Sequence, residues 1–148
     1  MGTPARVVVL PADTAKLRVE SLELPDPGPH EVIVKQFASG ICHSQLHQMH
    51  TPRQSPVVIG HESTGVVLQA GSAVTHVSPG DTVMVTWAPR QAASESMPPI
   101  AASLEVSDGT ATSQNAFTWA DHTIADQQCV VKVDPNIKTD VTAIMAAR

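Results

Sequence analysis

The 148-residue chain contains no tyrosine, two phenylalanines and two tryptophans, so aromatics supply 3% of it while hydrophobic residues supply 42%. Its core has to be assembled from Val, Ile, Leu, Ala and Met, a stock that suits short strands. Cysteine is as scarce. Cys42 and Cys129 are the only two, which argues against a disulfide framework, and a domain of this length buries enough apolar surface without such staples. Lys and Arg total 9 against 14 Asp and Glu, giving a formal net charge of -5 with the basic residues scattered. That distribution offers no footprint for nucleic acid or an anionic membrane, and neither partner is expected. No apolar run approaches the roughly 20 residues of a membrane span, and the first six residues lack the regions of a secretory signal. Arg6 stands where a myristoylation signal starting at Gly2 needs Ser or Thr. The expected location is cytoplasmic. The sequence has no internal repeat.

What is present is a succession of short apolar runs punctuated by 12 prolines and 8 glycines, the texture of a small β-rich domain. Residues 6–10 and 17–24 read as strands. The run Pro25-Asp26-Pro27-Gly28-Pro29 reads as a turn, because proline fixes φ and removes backbone donors. Residues 31–38 alternate, with Val32 and Val34 on one face and Ile33, Lys35 and Phe37 on the other. Residues 44–50 predict a short helix ended by Thr51-Pro52, and further strands are expected at 64–68, 82–87, 118–124 and 129–133. Residues 91–114, rich in Ala, Ser, Thr and Pro, read as a long surface loop with little to bury. Residues 141–147 read as the beginning of a helix. Strand after short strand with few helices makes the fold class mainly β, a barrel or sandwich.

The chemistry concentrates between residues 40 and 71. Cys42 follows Gly40-Ile41 at a predicted strand end, and His61-Glu62 lie between Gly60 and Gly65. A thiolate, an imidazole and a carboxylate brought together bind Zn²⁺ with one position open, as catalytic zinc requires. Flanking glycines let backbone pass close to a metal. Taken singly, a Cys is ordinarily a small buried hydrophobe and a His a solvent-facing or core residue. The ordered conjunction Gly-Ile-Cys-His-Ser, then Gly-His-Glu-x-x-Gly, then Gly71 and Val74, reverses that weighting.

This pattern, with Pro27 to Glu31 before a strand, Gly80-Asp81-x-Val83 and Val131-Lys132-Val133-Asp134-Pro135, resembles the zinc-dependent medium-chain alcohol dehydrogenases, in particular their N-terminal catalytic domain. The resemblance implies a GroES-like, partly open β-barrel with short helices over residues 1–140, with 141–148 starting a helix toward a nucleotide-binding domain. It implies oxidation of a small-molecule alcohol to a carbonyl, or the reverse on an aldehyde, by hydride transfer with NAD or NADP. One catalytic zinc is implied at Cys42 and His61, with Glu62 beside the metal or itself a ligand. Ser44 resembles the hydroxyl that takes the alcohol's proton, and His47 the histidine that passes it toward solvent. His43 falls where relatives place a group near the cofactor pyrophosphate. Trp87 matches a bulky position lining the substrate pocket, with plain core packing equally open. An apolar interdomain face would favour a homo-oligomer.

Several positions depart from the family pattern. Gln45 stands where an aspartate commonly orients the zinc-bound histidine, a change of the kind that weakens metal binding by about 10- to 100-fold. Ala146 or Ala147 stands where many relatives carry a further ligand cysteine. The segment 91–114 has none of the four cysteines of the family's structural zinc lobe, so no structural zinc is expected, and Cys129 reads as core. No Gly-x-Gly-x-x-Gly occurs, so the chain reads as a piece of a longer enzyme, idle alone, whose end at Arg148 would suit a trypsin-like cut. Two other readings use the same barrel: a zinc-free quinone-reductase type and a non-catalytic interaction module. A metal pair at His43 and His47, spaced i, i+4, would survive Cys42→Ser.

Overall fold

Ten strands and two α-helices form the regular structure in the computed structural model, which describes residues 2–90 and 98–146. The strands are β1 (Thr3–Leu10), β2 (Arg18–Leu24), β3 (Glu31–Ser39), β4 (Val57–Val58), β5 (Glu62–Ala70), β6 (Thr82–Thr86), β7 (Ser103–Val106), β8 (Gly109–Thr112), β9 (His122–Asp126) and β10 (Val130–Lys132). Helix α1 (His43–His50) lies between β3 and β4, and α2 (Thr139–Met145) follows β10. One five-stranded sheet has the order β2-β1-β4-β8-β7 and the other β10-β6-β5-β3-β9. A bridge from Val7 to Ala120 links them. All the strand pairs are antiparallel except β4 with β8. The mainly β, partly open barrel with short helices is the architecture that the sequence predicts.

Strand β3 shows how the aliphatic stock is spent. Its alternation separates two apolar clusters rather than core from solvent. Ile33 packs with Val7, Val9, Leu24, Phe117 and Ile124, while Val32 and Val34 pack with Val67, Val83 and Val85. A sheet covered on both faces reads as a continuous apolar run, and the exposed Phe37 marks where the cover ends.

Part of the expected loop at 91–114 is instead the β7–β8 hairpin. Leu104 and Ala111 are buried in the first cluster, and Ser107-Asp108 turns the chain, with Gly109 opening β8 at φ 128°, a conformation glycine adopts freely. The turn is clamped to β2: Arg18 pairs with Asp108, and Glu20 accepts from the Ser107 amide and hydroxyl. Residues 91–97 lie outside the described residues. The strand expected over 118–124 begins only at His122, because the Thr118 and Trp119 amides both turn on the Ile59 carbonyl instead of joining a strand ladder. Cys129 closes a 3-10 turn and is fully buried, the core position expected of it.

Candidate metal centre

The centre forms where β3 runs out and β5 begins. Ser39 pairs with Ser63, the Gly40 amide donates to the Glu62 carbonyl at 2.9 Å, and the Ser39 hydroxyl donates to the same carbonyl at 2.9 Å. Thr118 Oγ1 takes the Glu62 amide at 3.1 Å, and the Trp119 indole donates to the Gly40 carbonyl at 3.1 Å. These bonds fix residues 40 and 62 side by side, which puts Cys42 beside His61 and Glu62. Two glycines make the approach feasible. A Cβ on Gly40 would stand 2.6 Å from the Glu62 carboxylate, and Gly60 holds φ 93° with Trp119 and Thr118 filling the space a Cβ would need. Neither position admits a side chain without displacement.

One ligand atom from each of Cys42, His61 and Glu62 lies within 4.8 Å of the others. Among the described residues no other three His, Cys, Asp or Glu side chains converge so closely. Glu62 is 2% exposed, burial raises its pKa, and its Oε1 has no hydrogen-bond partner. Burial lowers the His61 pKa, favouring the neutral ring that ligates metals. An orphaned carboxylate oxygen, a neutral imidazole and a half-exposed thiol are a sulfur, nitrogen and oxygen donor set that fits Zn²⁺. Ala146 brings no donor side chain, although its carbonyl accepts from the Thr86 hydroxyl at 3.2 Å, and Thr86 is the cross-strand neighbour of Glu62.

Helix α1 carries the remaining side chains. Cys42 is its N-cap, and Gln45 closes the capping box by accepting the Cys42 amide on Oε1 at 2.9 Å. The Gln45 Nε2 lies 2.8 Å from His61 Nδ1 and 3.3 Å from Ser44 Oγ. A cleft of about 420 Å³ opens beside the constellation, its wall including Cys42, Ser44, Gln48, Ile59, His61 and Trp87. Trp87 is 45% exposed there, which is not a core position. His43 and His47 lie on another face of α1, exposed, with ring centroids 4.8 Å apart, and are not in the cleft wall. Sequence reasoning missed Gln48, although its i+4 spacing from Ser44 puts both on one helix face. It also missed Gln114 and Asn115, where the Asn115 amide donates to the Trp87 carbonyl at 2.9 Å. They arrive from a distant stretch with no local signal.

The alcohol dehydrogenase GroES-like domain family matches residues 28–135. Sorbitol dehydrogenase of Gallus gallus is 36% identical over 90 residues, covering 57% of this chain and 25% of that protein. An alcohol dehydrogenase of Moraxella sp. strain TAE123 is 40% identical over 75 residues, covering 48% of this chain and 22% of that protein. The chain thus spans about a quarter of the length of these curated relatives. Among solved structures, an alcohol dehydrogenase zinc-binding domain protein from Burkholderia ambifaria gives a TM-score of 0.83 at 21% identity, covering 99% of this chain and 46% of that one. A quinone oxidoreductase from Pseudomonas syringae pv. Tomato DC3000 gives 0.66 at 18% identity, covering 94% and 36%. Likeness at such identities carries the fold alone, but the family match extends over well more than half of the sequence. The chain belongs to the alcohol dehydrogenase GroES-like domain family.

Proposed function

We propose that this chain is the zinc-binding catalytic domain of an NAD(P)-linked dehydrogenase that oxidises a small alcohol to a carbonyl. The observation that carries the reading is the convergence of Cys42, His61 and Glu62 within 4.8 Å, with Cys42 and His61 in the wall of a cleft and Glu62 buried behind them. The names of the related sorbitol and alcohol dehydrogenases support it. Cys42 Sγ and His61 would hold the metal, with Glu62 as oxygen donor in place of a further thiol. Zinc bound there supplies a Lewis acid that eases loss of a proton from a substrate hydroxyl.

The chain's own side chains do the rest. Ser44 Oγ, in the cleft wall, accepts the substrate's proton. His47, exposed three residues further along α1 and outside the cleft wall, would pass that proton to solvent by way of the bound cofactor. His43 stands beside it as the group that meets the anionic part of a nicotinamide cofactor. Trp87 and Ile59 exclude water from the reacting carbon. Seating of the nicotinamide is assigned to the length of the relatives that this chain does not span, and the chain alone is expected to bind zinc without turnover.

A zinc-free reductase reading draws on the likeness to the quinone oxidoreductase fold, and it requires no donors at 42, 61 and 62. Metal content separates the two. After metal-replete purification we expect one zinc per wild-type chain and none in Cys42→Ser. Zinc-free wild-type protein would sink the dehydrogenase mechanism, and full zinc in the variant would move the metal to the His43–His47 pair.

A further inference from the structure

Gln45 is 1% exposed with both ends of its carboxamide engaged. Chemistry decides which end faces which partner. The Cys42 backbone amide is a donor only, 2.9 Å from Oε1, so the oxygen must face it. The nitrogen is thereby turned on His61, 2.8 Å from Nδ1, and a carboxamide nitrogen only donates. Nδ1 must then accept, and a neutral imidazole that accepts at Nδ1 carries its proton on Nε2. Nε2 is the nitrogen left over, 3.5 Å from Ser44 Oγ.

A metal-ligating imidazole needs the opposite arrangement, with a lone pair on the free nitrogen and a proton on the other, donated to an acceptor. Reversing the Gln45 carboxamide would supply that acceptor. It would also set the Gln45 NH₂ against the Cys42 N–H, donor against donor, at the residue that both caps α1 and provides the thiol.

We propose that Gln45 is a positioning residue that holds His61 in its Nε2–H tautomer, so that metal enters the Cys42–His61–Glu62 site only as the Gln45 carboxamide reverses and the α1 cap is released. The premise rests on two hydrogen bonds; the consequence for metal rests on the zinc reading above. Metal occupancy is thereby coupled to the first turn of α1. A glutamate of the same reach presents acceptors to both partners, so Gln45→Glu removes the conflict without changing size.

The test uses metal-free chain with ¹⁵N-labelled histidine rings, studied by long-range ¹H–¹⁵N spectra well above the histidine titration range, with His61 assigned through His61→Gln. Wild type is expected as the Nε2–H tautomer and Gln45→Glu as Nδ1–H. In chelator competition, Gln45→Glu is expected to bind zinc about 10- to 100-fold more tightly than wild type. An Nδ1–H ring in metal-free wild type overturns the proposal, and so does equal zinc affinity in the two proteins. Failure of both proteins to bind zinc overturns the zinc reading instead, and the wild-type spectrum still decides the role of Gln45.

Discussion

Glu62→Gln should make the metal-free protein more stable and its metal site worse. Glu62 is 2% exposed and its Oε1 has no partner. A buried polar atom left unpaired costs about 1–3 kcal/mol, and more when charged. The neutral amide has nearly the same shape and still leaves a polar atom unpaired there, but it removes the charge whose desolvation raises the carboxyl pKa, so the variant should gain the charge-dependent part of the cost, about 1–3 kcal/mol at neutral pH. For a domain near 150 residues each kcal/mol moves Tm by roughly 2–4 °C, a rise of between about 2 and 12 °C. The pH dependence carries its own sign. Burial raises the Glu62 carboxyl above its ordinary 4.5, so below that value folded and unfolded chains both keep the proton and no cost arises. As pH climbs from 4.5 through the raised folded value, the unfolded chain ionises freely and the folded chain does not, so stability falls. Thermal melts of metal-free protein between acid and neutral pH should show that fall in wild type and its loss in Glu62→Gln. Chelator competition should show weaker zinc binding. A variant that melts lower than wild type at neutral pH, or keeps the same slope, would refute the reasoning.

Three other outcomes are expected. Gly40→Ala places a methyl 2.6 Å from the Glu62 carboxylate; it should cost about 1–3 kcal/mol in melts and roughly tenfold in zinc affinity, and unchanged affinity would remove Glu62 from the ligand set. Burial, aided by the charge of Asp126, pushes the Cys129 thiol up to about 12, whereas Cys42 is half-exposed. A disulfide reagent at neutral pH should therefore label one thiol in the native chain and the second only on unfolding, with zinc protecting the first. Burial alone would raise Asp121, but the Arg6 amide and guanidinium and the His122 ring outweigh it and hold the carboxyl at about 2. Its stabilisation is present above 3.8 and lost as pH falls toward 2, worth about 1 kcal/mol after screening of a side chain 35% exposed. Asp121→Asn should flatten that acid limb in unfolding titrations.

Much of the barrel is legible because most strands carry aliphatics between proline or glycine stops; β1, β2, β3, β5 and β6 lie close to their predicted spans. The β7–β8 hairpin is hidden by composition. Its buried residues are Leu104 and Ala111, set among serines, threonines and glycine, and only Asp108-Gly109 between alternating neighbours announces it. At the site, Cys42, His61 and Glu62 are readable from local spacing, and the structure brings their donor atoms together. Gln48, Gln114 and Asn115 are not, because what places them in the cleft is the packing of distant segments. The two-sided role of Gln45 is likewise a matter of angles. Sequence shows a neutral amide in an aspartate's place, and only the bonds to Cys42 and His61 show which way it points.

The three converging donors all lie between residues 42 and 62, while much of the opposite cleft wall comes from Trp87 and residues 114–116. On the proposed reading, reactivity and selectivity are therefore written in separate stretches of chain. Substitution at 87 or 114–116 can alter which molecules the cleft admits while leaving the donor atoms where they are. On the proposed dehydrogenase reading, a library confined to those positions is a route to altered preference that leaves the donor set untouched.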